Sequence, residues 1–179
     1  MQIGKQPSIN SAKAKYLSQF PAFFHPYIDD IVDVEPDGNC GFCCISSALG
    51  WGKKHGKEKW MTIPDMGYHV ASKYSVVFVS LSMRMNIAFF PLLIASPLYT
   101  SRHTIIDVGF VNSNHWVQIK LRLGCPLSFV TDRWRNNCSN NAKAWESAYA
   151  SRFTHWETLA GNSDIRKNVS MEPETVEIL

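Results

Sequence analysis

The stretch "TIIDVGFVNSNHWVQIKLRL", residues 104 to 123, constrains the fold of this chain more than any other. Two β-rich runs of strand length are separated only by Asn112, Ser113 and Asn114, residues that favour turns. Runs so closely joined pair as an antiparallel hairpin. In the second run Val117, Ile119 and Leu121 share one face, and His115 has the same parity at the first position. A further run, "SVVFVSLS", is short and almost wholly apolar, which predicts a strand buried on most of its surface.

Helical spacing governs other segments. Phe42, Ile45, Ala48 and Leu49 predict a helix from about Cys40 to Leu49, stopped by Gly50 and Gly52. "IPDMGYHVASKY" predicts a second, with Pro64 in its first turn and Met66, Val70 and Tyr74 turned inward. From Ala142 onward Trp145, Tyr149, Phe153, Trp156 and Ala160 form an aromatic stripe, expected to be the core face of one helix. "YLSQFPAFFHPYIDDIVDV" belongs to the core, whereas residues 1–15 and 161–179 are polar and expected as flexible tails. A chain of 179 residues, 45% of them hydrophobic, suits one domain, expected over residues 16–160 and as a monomer.

Composition removes several function classes. A net charge of +3, with "KKHGKEK" the longest basic cluster, argues against nucleic-acid binding. The longest apolar stretch, "MNIAFFPLLIASPLY", is interrupted by Pro91 and Pro97, so no membrane span is expected. The N-terminus has no apolar core of the kind a secretory signal needs, and the cysteines number five, an odd count. Free thiols in the cytoplasm or nucleus are therefore expected rather than a disulfide framework.

The chemistry concentrates in "EPDGNCGFCCIS", residues 35 to 46. A zinc site would take Cys40, Cys43 and Cys44 with Cys125 and Cys138, but only Cys40 and Cys43 have finger-like spacing, and no metal or cofactor is expected. A thiol is nucleophilic as thiolate, a form favoured at a helix start near a histidine. Cys40 is placed that way, while Cys43 and Cys44 lie deeper in the helix and are expected to pack. Backbone N–H groups of Gly38, Asn39 and Cys40 are candidate oxyanion donors, with Asp37 shaping their loop. His115, at a turn-to-strand junction, is the candidate base. His25, His55, His69, His103 and His155 have no acid or thiol at a telling spacing and are expected in surface or structural roles.

"DGNCGF" opening a helix and "NHWVQIKL" opening a late strand together resemble the ovarian-tumour (OTU) family of cysteine peptidases, most of whose active members remove ubiquitin. "FHPYIDDIVDVEPDGNCGF", "KWMTIPDMGYHVASKYSVVFVSLS" and "IIDVGFVNSNHWVQIKL" extend the likeness to the OTU-like domains of Mutator-like and related plant transposable elements, over roughly residues 16 to 156. The resemblance implies an α+β, papain-like fold, a central β-sheet between helices with the cysteine at a helix N-terminus. It implies a cysteine-type deubiquitinase in which Cys40 attacks the carbonyl of the ubiquitin C-terminal glycine and His115 passes the proton to the leaving lysine amine. Trp116 is expected as one wall of the channel for the Leu-Arg-Gly-Gly tail.

The chain departs from the family pattern at three places. Val117 stands where many members carry Asp or Asn to orient the histidine, leaving Asn114, Asn112 and Asp107 as substitutes. Cys43 stands where relatives usually have Arg. Only "GWGKKHGKEK" separates the cysteine helix from Trp60, where related domains place several dozen residues, so the domain looks internally shortened. The rival expectation is therefore a catalytically inactive, transposon-derived module that binds ubiquitin or another protein; a DNA-binding transposase fragment is disfavoured by the low charge.

Overall fold

A computed structural model of the chain describes residues 11–51, 61–99, 102–128 and 130–161. These residues form an α+β fold with a five-stranded mixed sheet flanked by helices. Residues 1–10, the segment 52–60 on which the expectation of an internally shortened domain rests, and most of the expected C-terminal tail lie outside the described residues. Among the described residues no helix is long and apolar enough to cross a membrane.

The strands are β1 (Ile28–Val32), β2 (Val77–Leu81), β3 (Ile87–Phe89), β4 (Ile105–Val111) and β5 (His115–Leu121), in the spatial order β1-β5-β4-β2-β3. The hairpin forms as its local pattern requires: β4 pairs antiparallel with β5, Val111 facing His115, and Asn112 and Ser113 take positive φ in the turn. Only the β2–β4 pair is parallel among these strands. Every residue of β2 is buried, Ser80 included, so both faces of the sheet centre are covered, as its almost wholly apolar run predicts. β3 arises inside the proline-interrupted apolar stretch and closes one edge.

Six α-helices are described: α1 (Ser11–Tyr16), α2 (Cys40–Ala48), α3 (Asp65–Tyr74), α4 (Asp132–Asn137), α5 (Ala144–Ala148) and α6 (Ala150–Gly161). The packed structure thus begins before residue 16. Ala12 and Tyr16 of α1 are buried, and the Lys13 ammonium donates to the carbonyls of Ile28 and Asp29 on β1. On α3 the buried face is Gly67, Tyr68, Val70 and Ala71, with Met66 and Tyr74 at its margin. The aromatic stripe is core throughout, but the helix beneath it is broken: Tyr149 leaves helical geometry between α5 and α6. Phe90 meets Trp134, Trp145, Tyr149 and Phe153 at ring separations of 5.2 to 6.1 Å, joining the three C-terminal helices to the end of β3.

Candidate active site

The site owes its position to the early end of β1. β1 pairs with β5 from Ile28 opposite Leu121 to Val32 opposite Gln118 and then leaves the sheet. The first residues of β5, His115 to Val117, therefore extend past it, and α2 packs there instead. The chain between β1 and α2, residues 33 to 39, carries an aspartate at its start and ends at the cysteine.

The turn before α2 holds its shape through Asp37, whose Oδ1 accepts the Asn39 N–H at 2.9 Å. Gly38 has φ +79°, a left-handed conformation that glycine adopts without a Cβ clash. Cys40 is then the first helical residue, 3% exposed. Its Sγ accepts the backbone N–H of Trp116 at 3.4 Å, a bond available because no strand covers that part of β5. The other end of α2 is tied to the same strand by Ser47 Oγ, which donates to Gln118 Oε1 at 3.0 Å. The structure thus places the starts of α2 and β5 side by side.

His115 is 6% exposed, and its Nε2 lies 2.7 Å from Asp33 Oδ1. An ionised carboxylate can only accept, so Nε2 carries the hydrogen and the lone pair of the neutral ring is on Nδ1. Nδ1 is buried without a hydrogen-bond partner. An orphaned buried acceptor costs stability, and such costs concentrate where chemistry uses the group.

Asp33 is held from several sides. Its Oδ2 accepts the Tyr16 hydroxyl at 3.0 Å, and the Lys15 ammonium lies 3.5 Å from the same oxygen. Partial burial opposes its ionisation, but hydrogen bonds from His115 and Tyr16, together with the electrostatic attraction of both His115 and Lys15, outweigh it and hold its pKa below the ordinary carboxylate value. Asp33 is the residue that sequence reasoning missed. Its one local signal is an acid set between Val32 and Val34, where an apolar alternation runs off the end of a strand.

The side chain bonded to the His115 ring is thus Asp33 rather than one of the three substitutes expected to orient it. Asn112 exchanges two hydrogen bonds with Gln19, at 2.7 and 2.9 Å, and Asn114 is exposed in the hairpin turn. Asp107 lies four residues along β4 from Val111, the partner of His115, hence about 13 Å away along the strand. Its Oδ2 accepts the Leu121 N–H at 3.3 Å while Oδ1 is buried and unpartnered. Desolvation pushes its pKa up to about 7, against the Leu121 hydrogen bond and the charge of Arg152.

Three further expectations are corrected. The Trp116 ring is buried against Phe110, 4.7 Å between centroids, so the residue contributes its backbone N–H rather than a channel wall. The Asn39 N–H is consumed by Asp37, which leaves Gly38 and Cys40 as the amides to consider for an oxyanion. Cys44 is fully buried, its thiol pushed well above the usual range by desolvation and by neighbouring Cys40 and Cys43. Cys43 does not follow it into the core: it is half-buried and lines a groove of about 610 Å³ with Asp33, Glu35, Asp37, Ser47 and Trp51.

No group of three or more His, Cys, Asp or Glu side chains among the described residues is placed to hold a metal ion. The arrangement is a thiol at a helix start, an imidazole with one nitrogen oriented and the other unpartnered, and an ionised acid behind it. No protein-family profile, curated protein or solved structure matches the chain.

Proposed function

We propose that the chain is a cysteine peptidase of the papain-like OTU type that hydrolyses the isopeptide bond at the C-terminus of ubiquitin or a ubiquitin-like protein. The observation that carries this reading is the His115 Nε2 to Asp33 Oδ1 contact of 2.7 Å, beside a cysteine whose Sγ meets the next residue's N–H. With Nε2 committed to Asp33, Nδ1 is the basic nitrogen and takes the Cys40 proton as the thiolate attacks the substrate carbonyl. The developing oxyanion is met by the amides of Cys40 and Gly38 at the start of α2, where the helix dipole favours negative charge. The imidazolium then returns its proton to the departing lysine amine, and water cleaves the thioester. Asp33 stays ionised through the cycle and fixes the ring, the role of the third group in triads generally. The reaction needs reduced thiols, which suits the cytoplasm or nucleus.

A second reading, a catalytically inactive module that binds ubiquitin or another protein, is favoured by one observation: Cys40 is only 3% exposed and already accepts the Trp116 N–H. Ubiquitin carrying a thiol-reactive C-terminal warhead separates the two. Covalent labelling of the folded chain, abolished by Cys40→Ala and strongly slowed by His115→Ala, is the expected result. A folded chain that binds ubiquitin but never labels supports the inactive module, and labelling that survives Cys40→Ala overturns the assignment of the nucleophile.

A further inference from the structure

We propose that Cys40 and Cys43 form a dithiol centre that exchanges with small disulfides entering the groove beside α2 and closes into an intramolecular Cys40–Cys43 disulfide. The hydrolase reading leaves unexplained the Cys-Gly-Phe-Cys sequence with which α2 opens. Two cysteines so spaced at a helix start are suited to reversible exchange, because the helix end favours thiolate and the second sulfur lies one turn away. The first turn is intact, with the Cys43 N–H donating to the Asn39 carbonyl at 2.9 Å. Helical geometry then separates the two Cα atoms by about 5 Å, within the span that disulfides bridge.

The surroundings of the three neighbouring sulfurs assign their parts. Cys43 lines the groove and is the point of entry, whereas Cys40 is nearly enclosed. Cys44 is fully buried and its thiol is held protonated, which removes it from exchange. Asp33, Glu35 and Asp37 line the same groove, so a cationic disulfide is favoured over an anionic one.

In the first step the Cys43 thiolate attacks one sulfur of the disulfide. A bond forms from Cys43 to that sulfur, the external S–S bond breaks, and one small thiolate leaves. Cys40 then gives its proton to His115 Nδ1 and attacks the Cys43 sulfur. The Cys40–Cys43 bond forms, the mixed disulfide breaks, and the second thiolate leaves; the proton shed by Cys43 and the one held by His115 pass through solvent to the two small thiolates. The protein is oxidised by two electrons and one external disulfide is reduced to two thiols. Because the second attack is intramolecular, the enclosure of Cys40 does not obstruct it. The closed disulfide takes the sulfur of Cys40 out of any hydrolytic reaction, but the exchange itself requires no hydrolase activity.

Cystamine, a small cationic disulfide, is the probe. The reduced full chain is treated in a Cys138→Ser background, since Cys138 is also half-buried and would report separately. Intact mass should show the folded protein ending two hydrogens lighter with no retained cysteamine, two fewer thiols open to maleimide after unfolding, and both restored by dithiothreitol. Adding Cys44→Ser should leave this result intact, and adding Cys43→Ser should abolish it. A cysteamine adduct that never closes, no reaction by a chain that circular dichroism shows folded, or loss of two thiols despite Cys43→Ser would each overturn the proposal. If a serine variant fails to fold, fragmentation of the oxidised parent decides: a bridge between 40 and 43 supports the proposal, and one between 40 and 44 overturns it. The readout is the sulfur linkage alone, so a chain that never processes ubiquitin still gives an answer.

Discussion

Asp33 and Asp107 stand near opposite ends of the β4–β5 hairpin, and the same side chain meets opposite fates. Asp33 lies just past β1 and receives hydrogen bonds from His115 and Tyr16, with Lys15 nearby; it is held ionised although partial burial opposes this. Asp107 lies within β4 with one oxygen on the Leu121 N–H and the other unpartnered, and burial pushes its pKa up to about 7. The difference shows that donors facing a carboxylate, more than its place in the sheet, decide its charge. It also decides which aspartate can serve a histidine: one with a fixed negative charge orients an imidazolium, and one poised near neutrality does not.

The largest effect expected from breaking this contrast is at the site. Asn in place of Asp33 keeps the shape but presents a neutral amide, so Nε2 loses its charged partner and the ring loses its fixed tautomer. On the proposed mechanism kcat falls roughly 10²–10⁴-fold with KM little changed, the size of effect seen when triad acids are neutralised. Steady-state kinetics on a ubiquitin substrate measures it. A variant with undiminished kcat would remove Asp33 from the mechanism and leave the ring oriented by burial alone.

The next effect is on stability, and the two aspartates act with opposite signs. Asp33 has a folded pKa below its ordinary 3.8, so its contribution is present above that value and is lost as pH falls through the lower folded one. Asp107 has a folded pKa of about 7 against an ordinary 3.8, so its contribution is full below 3.8 and is lost as pH rises through about 7. Thermal unfolding across pH 4 to 8 should therefore show the parent losing stability relative to Asp107→Asn as pH rises, by on the order of a few kcal/mol at the alkaline end. Parallel pH profiles for the two proteins would mean that Asp107 finds a counter-charge, with Arg152 the nearest named candidate.

These two residues also mark where the sequence could be read and where it could not. The hairpin, the start of α2 and the position of His115 follow from signals within a few residues: alternation, a turn, a glycine-containing loop before a helical pattern. Asp33 follows from none of these. Its role exists because β1 stops at Val32 while β5 continues to His115, a consequence of strand register that neither segment carries alone. The aromatic stripe gives the converse case. Trp145, Tyr149, Phe153 and Trp156 were legible as core because spacing predicts a face, yet the break at Tyr149 preserves that face while ending the helix. In α1, Ala12 and Tyr16 lie four apart and mark an inward side, but the lysines around them give the segment the polarity of a tail.

Tyr16 supplies the smallest and sharpest test, because it separates what the sheet contributes to the site from what α1 contributes. Its hydroxyl donates to Asp33 Oδ2 at 3.0 Å and so reaches the base through the acid, while its ring packs 6.2 Å from the His115 ring, a contact that phenylalanine retains. Phenylalanine keeps the buried ring and deletes one hydrogen bond to a charged acceptor that is partly open to water, a loss of about 1 kcal/mol or somewhat more. On the proposed mechanism that corresponds to a decrease in kcat of about five-fold to ten-fold with unchanged KM. The substitution should fall well short of Asp33→Asn, because His115 Nε2 keeps its bond to Oδ1 and Lys15 remains beside Oδ2. If Tyr16→Phe proves as damaging as Asp33→Asn while the fold is unchanged by circular dichroism, the carboxylate is set by α1 rather than by its exit from β1, and the N-terminal helix becomes part of the catalytic apparatus.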